Sequence, residues 1–123
     1  MIIDKKILDN LTAQAKVNPR LRANLDLRDS TEDDSQRMLN AIEPGTVLPI
    51  HRHKSSSVSL GPGPSDRFLS IYNDIMTQNE VNVRHVNIPS GQWHSLKSLE
   101  SGTILFEAKN GKYAPLAEDE VYR

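Results

Sequence analysis

Between residues 20 and 28 the chain reads RLRANLDLR, in which Leu21, Ala23, Leu25 and Leu27 alternate with Arg22, Asn24, Asp26 and Arg28. A period of two places successive side chains on opposite sides of an extended backbone, so this run is a strand with one apolar and one polar face. The same kind of run recurs down the chain, each time closed by turn residues. QRMLNAI (36–42) ends at the turn EPGT, and VLPIHRH (47–53) follows it. RFLSIYN (67–73) and VNVRHVNI (81–88) lead to the turn PSGQ, and WHSLKSL (93–99) and GTILFEAKN (102–110) are joined through ESG. Many short strands separated by turn signals restrict the fold to an all-β sandwich or barrel.

Two stretches depart from that rhythm. Residues 4–17 carry Ile7, Leu8, Leu11 and Ala15 at helical spacing, with Asp4 placed to cap the first turn and Asn18-Pro19 to stop the last. Ile3 and Leu8 stand where an apolar staple would brace that cap. Residues 55–65 turn to Ser, Gly and Pro, and GPGPS is expected to be a loop, because proline has no N–H to give a central strand. The acidic run DSTEDDS (29–35) lacks the glycine and closing glutamate of a calcium loop and reads as a solvated turn. The expected organisation is a helix over 1–20 packed on a barrel over 21–112, with an extended tail over 113–123.

With 123 residues the chain suits one domain, and a net charge of −1 provides no field for nucleic acid or an acidic membrane surface. It contains no cysteine, which excludes disulfides and thiolate metal sites. The N-terminus, MIIDKKILDN, has charges where a signal peptide needs an apolar core, so a bacterial-type cytoplasmic protein is expected. No apolar run approaches the roughly 20 residues of a membrane helix.

The chemistry rests on histidine, of which there are four: His51, His53, His85 and His94. In a strand, residues 51 and 53 point the same way, with Val47 and Pro49 beside them. Such a pair either clips one metal ion or is a coincidental surface pair. His94 follows the PSGQW turn, which can bring it back beside the pair. His85 alternates with apolar neighbours and is expected to face the opposite side. Glu107 alternates with Phe106 and Ala108 and has two readings, an inward ligand or a surface residue near the site.

Gly45-x5-His51-x-His53 resembles the first half of cupin motif one, and Pro89-x-Gly91-x2-His94 resembles the core of motif two. The similarity is closer to the WbuC-type cupin-fold metalloproteins found among bacterial O-antigen and polysaccharide genes. It runs through PRLRANLDLR, QRMLNAIEPGTVLPIHRH, NIPSGQWHSLKSLESGTILFEAKNGKY and the N-terminal helix, and leaves residues 57–84 poorly matched. The resemblance implies a small jelly-roll β-barrel with one N-terminal helix, in which His51, His53 and His94 hold one divalent transition metal (Zn, Fe, Ni, Mn or Co). It also implies a homodimer. The pattern departs from the family at Val58, which stands about where motif one has its glutamate, and no Asp or Glu occurs between Glu43 and Asp66.

The polar face of the first strand, with Arg37 and Asn40 flanking the second, has two readings. Arg22, Asn24, Arg37 and Asn40 line the barrel mouth and bind a small ligand, the arginines gripping a carboxylate or phosphate, or the face is simply solvated. Two functions follow. One is a metal-dependent cupin acting on or binding a small sugar-related or carboxylated ligand in surface-polysaccharide metabolism. The other is a non-enzymatic or degenerate cupin that serves as a ligand- or metal-binding module. No residue qualifies as an assigned general base, so the reaction type stays open.

Overall fold

The computed structural model describes residues 2–54, 58–61, 69–72, 80–83 and 86–122, with side chains for 2–54 and 87–122. Helix α1 (Lys5–Val17) opens on Asp4, whose carboxylate accepts the Ile7 N–H at 3.0 Å. This satisfies one of the four amides that a helix start leaves without a partner. Leu11 and Ala15 are its buried residues, and Ile3 and Leu8 pack against the same cluster, as the staple requires.

Among the described residues eight strands follow: β1 (Arg22–Asp26), β2 (Ser35–Ile42), β3 (Val58–Gly61), β4 (Leu69–Tyr72), β5 (Glu80–Val83), β6 (Val86–Ile88), β7 (Ser95–Lys97) and β8 (Ile104–Asn110). They form a five-stranded sheet, β1-β2-β8-β3-β6, and a three-stranded sheet, β5-β4-β7, with every pairing antiparallel. Together with the N-terminal helix this is a small jelly roll, the expected fold class.

Register decides which face does what. Ala23 pairs with Ala41 and Leu25 with Leu39, while Arg22 pairs with Ile42 and Asn24 with Asn40. Directly paired residues share a face. The apolar face of β1 therefore lies under the helix, where Leu11, Ala15, Leu39, Ala41 and Ile104 form one buried cluster. The polar face of β1 looks the other way, into the space between the sheets. A second cluster, Ile42 and Leu105 with Leu48 and Leu96 packed against them, closes that space from within.

Several expectations need correction. The run 47–53 is not a ladder strand: it makes single bridges, from His51 to His94 and from His51 to Val121. Pro49 has no N–H to extend a ladder there. The expected loop at 55–65 contains β3, which sits inside the five-stranded sheet between β8 and β6. β3 runs from Val58 to Gly61, and residues 55–57 and 62–65 of the expected loop lie outside the described residues. The single strand expected over 81–88 is two strands in different sheets, β5 and β6. His85 lies outside the described residues. The strand expected over 93–99 shortens to β7.

The tail is more engaged than its composition suggests. Arg52 N–H donates to Glu120 O at 2.9 Å and Tyr122 N–H to Ile50 O at 2.8 Å, on either side of the His51–Val121 bridge. A short 3-10 helix (Glu118–Glu120) precedes this contact. The Glu120 carboxylate accepts the Lys54 N–H at 3.0 Å, and Lys54 pairs with Asp119.

Candidate metal centre

The turn after Pro89 needs a left-handed residue, and Gly91 supplies it with φ +83°. The chain then runs back antiparallel to residues 51–53. His51 N–H donates to His94 O at 2.9 Å, His94 N–H returns the bond to His51 O at 2.8 Å, and Gly91 N–H donates to His53 O at 2.8 Å. Three imidazoles converge as a result. Ring centroids are 4.3 Å apart for His51–His94, 5.0 Å for His51–His53 and 5.4 Å for His53–His94.

One ligand nitrogen from each of His51, His53 and His94 lies within 4.8 Å of the other two. Around a tetrahedral zinc with bonds of roughly 2.1 Å, nitrogens stand about 3.4 Å apart. Small ring rotations bring the group to that spacing, so the donor set fits a transition metal. Tautomers support the fit. His51 Nδ1 lies 2.9 Å from Pro49 O and His94 Nδ1 lies 3.0 Å from Gln92 O. A carbonyl only accepts, so each Nδ1 carries the proton, and each Nε2 presents a lone pair.

Charge state points the same way. Burial lowers the His53 pKa to about 4, helped by the Lys109 ammonium and the neighbouring imidazoles. His94, 4% exposed, is also lowered to about 4, by burial first, against a raising effect from its bond to Gln92. Both are neutral at pH 7, the form that binds metal. Since both values fall below the ordinary 6.5, the unfolded chain takes up protons that the folded one refuses between pH 6.5 and 4. The metal-free protein therefore keeps full stability from this source above pH 6.5 and loses it as pH falls towards 4. Urea midpoints measured at pH 7 and pH 5 are expected to drop, and to drop less when His53 and His94 are both replaced by Gln.

A cavity of about 530 Å³ adjoins the cluster. His51 and His94 line one side, and Arg22, Asn24, Asn40 and Glu107 line the side formed by β1, β2 and β8. Glu107 accepts a hydrogen bond from the Asn40 amide at 3.2 Å and is not one of the three grouped ligand residues. Arg37 lies elsewhere. It sits on the β2 face of Leu39 rather than of Asn40, and its guanidinium pairs with Asp33 at 2.8 Å. Val58 pairs in register with Lys109 and Ile88.

Sequence reasoning missed Gln14, Asn18 and Arg20, which bring the end of the helix to the cavity rim. No motif marks them. It also missed the brace outside the site, where Arg52 stacks 4.6 Å over Trp93 and Trp93 meets Tyr122 edge-on at 5.7 Å.

Two antiparallel sheets, a helix on the outer face and a histidine cluster at a cavity between the sheets describe a cupin-type jelly-roll fold, and solved structures agree on that fold. KdgF from Halomonas sp. superposes with a TM-score of 0.63 at 11% identity, over 79% of this chain and 85% of that one. An RmlC-like cupin from Desulfovibrio desulfuricans gives 0.56 at 10% identity, over 72% and 81%. Oxalate oxidase in complex with the substrate analogue glycolate gives 0.61 at 16% identity, over 83% of this chain and 57% of the enzyme. Residues 3–59 match the profile of a domain of unknown function, DUF6016. No curated protein matches the sequence. No helix among the described residues is long and apolar enough to cross a membrane.

Proposed function

We propose that this chain is a metal-binding cupin in which His51, His53 and His94 hold one divalent transition metal and the adjoining cavity takes a small sugar-related or carboxylated ligand. The convergence of three imidazole nitrogens within 4.8 Å carries this reading. The tautomers of His51 and His94, fixed by peptide carbonyls, support it. Three neutral ligands would leave coordination positions open, where the metal would polarise a ligand oxygen or a water. His51, His53 and His94 would orient it, and the walls at Arg22, Asn24 and Asn40 would position the ligand.

The motif resemblance extends the proposal to a WbuC-type protein of bacterial surface-polysaccharide metabolism, cytoplasmic and homodimeric. Sedimentation equilibrium tests the dimer. A second reading, a non-enzymatic binding module, is favoured by one observation: among the described residues the ligand group contains no carboxylate.

The deciding experiment is elemental analysis of the purified protein followed by calorimetric titration of the stripped protein with zinc. One equivalent bound, with a rise in melting temperature, is expected. A protein that binds no transition metal at any pH between 6.5 and 8 refutes the proposal.

A further inference from the structure

The cavity beside the histidines is uneven in charge. Its described lining contains two guanidiniums, Arg20 and Arg22, and one carboxylate, Glu107. Glu107 is engaged with Asn40. Neither arginine has an acidic partner among the described residues, whereas Arg28 and Arg37 are paired with Asp26 and Asp33. The two guanidiniums also oppose each other, and burial together with Arg20 pushes the Arg22 pKa down. A half-buried cation beside a like charge is a standing cost unless an anion joins it.

Position supports this. Arg22 pairs with Ile42 in register, so it stands on the face of β1 that looks between the sheets, not on the outer face with Ala23 and Leu25. The same lining also contains the apolar side chains of Ile42, Leu48, Leu96 and Leu105. The cavity thus combines histidines that suit a metal, apolar surface that suits carbon and guanidiniums that suit an anion.

We infer that the ligand is a small oxyanion of monosaccharide size, a sugar acid or sugar phosphate, whose carboxylate or phosphate is gripped by Arg22 with Arg20 while a hydroxyl or carbonyl oxygen at its other end faces His51 and His94. The metal-facing half rests on the function proposed above, and the guanidinium half does not. A cavity of about 530 Å³ matches this size. The planar fork of arginine suits both head groups by two parallel hydrogen bonds. Arg22 is a binding residue here, and the assignment names no reaction.

The test is calorimetry on the zinc-loaded protein with three probes that share one ring: galacturonate, galactose 6-phosphate and galactose. At least one of the charged probes is expected to bind at least ten times tighter than galactose, and the tighter of the two names the head group. Arg22→Gln is expected to weaken charged-probe binding by roughly 10- to 100-fold, the loss of a charge-assisted bidentate contact. Arg22→Lys recovers part of it, and galactose binding does not change. Arg37→Ala, outside the cavity, leaves all three unchanged. Zinc content and melting temperature are read for every variant. Equal binding of charged and neutral probes, no binding of either charged probe, or charged-probe binding that Arg22→Gln leaves intact overturns the inference. If the histidines hold no metal, the charged probes are still compared on the metal-free protein. Loss there in Arg22→Gln upholds the anion subsite while the metal proposal fails.

Discussion

His94→Ala abolishes metal retention. The substitution removes one of three nitrogens that meet within 4.8 Å, and the one whose residue is most buried, at 4% exposure. Removing a mere supporting partner of a metal ligand already costs about 10- to 100-fold in affinity, so loss of the ligand itself is expected to exceed about 100-fold. His51→Ala and His53→Ala behave alike, whereas His85→Ala keeps its metal. The fold survives, because the bonds joining residues 51 and 94 run between peptide groups and persist in the alanine variant. Zinc content after dialysis against a chelator, with circular dichroism to confirm the sheet, measures both halves. Full zinc retention by His94→Ala, or loss of metal in His85→Ala equal to that in the other three, would remove the assignment.

Leu39→Ala is the most damaging change expected away from the histidines. Leu39 is 1% exposed and packs among Leu11, Ala15, Ala41 and Ile104, where the helix meets the sheet. Emptying such a position costs about 2–5 kcal/mol, through lost transfer energy and the cavity left behind. Domains of this size hold only about 5–15 kcal/mol in total. The melting temperature should fall by about 10 °C or more. Leu99→Ala, at a position 44% exposed, should change stability by less than about 0.5 kcal/mol. Urea titration gives both values. Because Leu39 faces the helix and the cavity lies on the other side of the sheet, folded Leu39→Ala should still bind zinc.

The parts of this architecture legible in the sequence were those written in side-chain periodicity. The α1 helix declared itself through Asp4, Leu11, Ala15 and Asn18, and β1, β2 and β8 through alternation. The convergence of His51, His53 and His94 was legible because a strand's period of two and a glycine turn at Gly91 leave few other geometries. What stayed hidden depends on tertiary partners. Nothing local distinguishes the β1 face that carries Arg22 and Asn24 as a cavity wall from a wetted surface, because the helix that covers the opposite face is a long-range contact. Arg37 was grouped with Asn40 although adjacent strand faces separate them, and its pairing with Asp33 drew no notice within an acidic turn. The Gly/Pro composition of residues 55–65 concealed β3, since four residues of strand are too short a run to stand out beside GPGP.

The tail's grip on residues 50–54 had no motif at all, because it is made largely of main-chain bonds to Glu120 and Tyr122.

That same economy applies to the rings of His51 and His94. Each is steadied by the carbonyl two residues behind it, at Pro49 and Gln92, rather than by a side chain. Every residue type brings a carbonyl, so positions 49 and 92 can change identity without untying the imidazoles, provided the local backbone path is kept. A centre supported in this way leaves little more than its ligands and the turn glycine Gly91 in the gene. Distant relatives could drift until three histidines and one turn glycine are their shared signature and still hold those rings at the same angles.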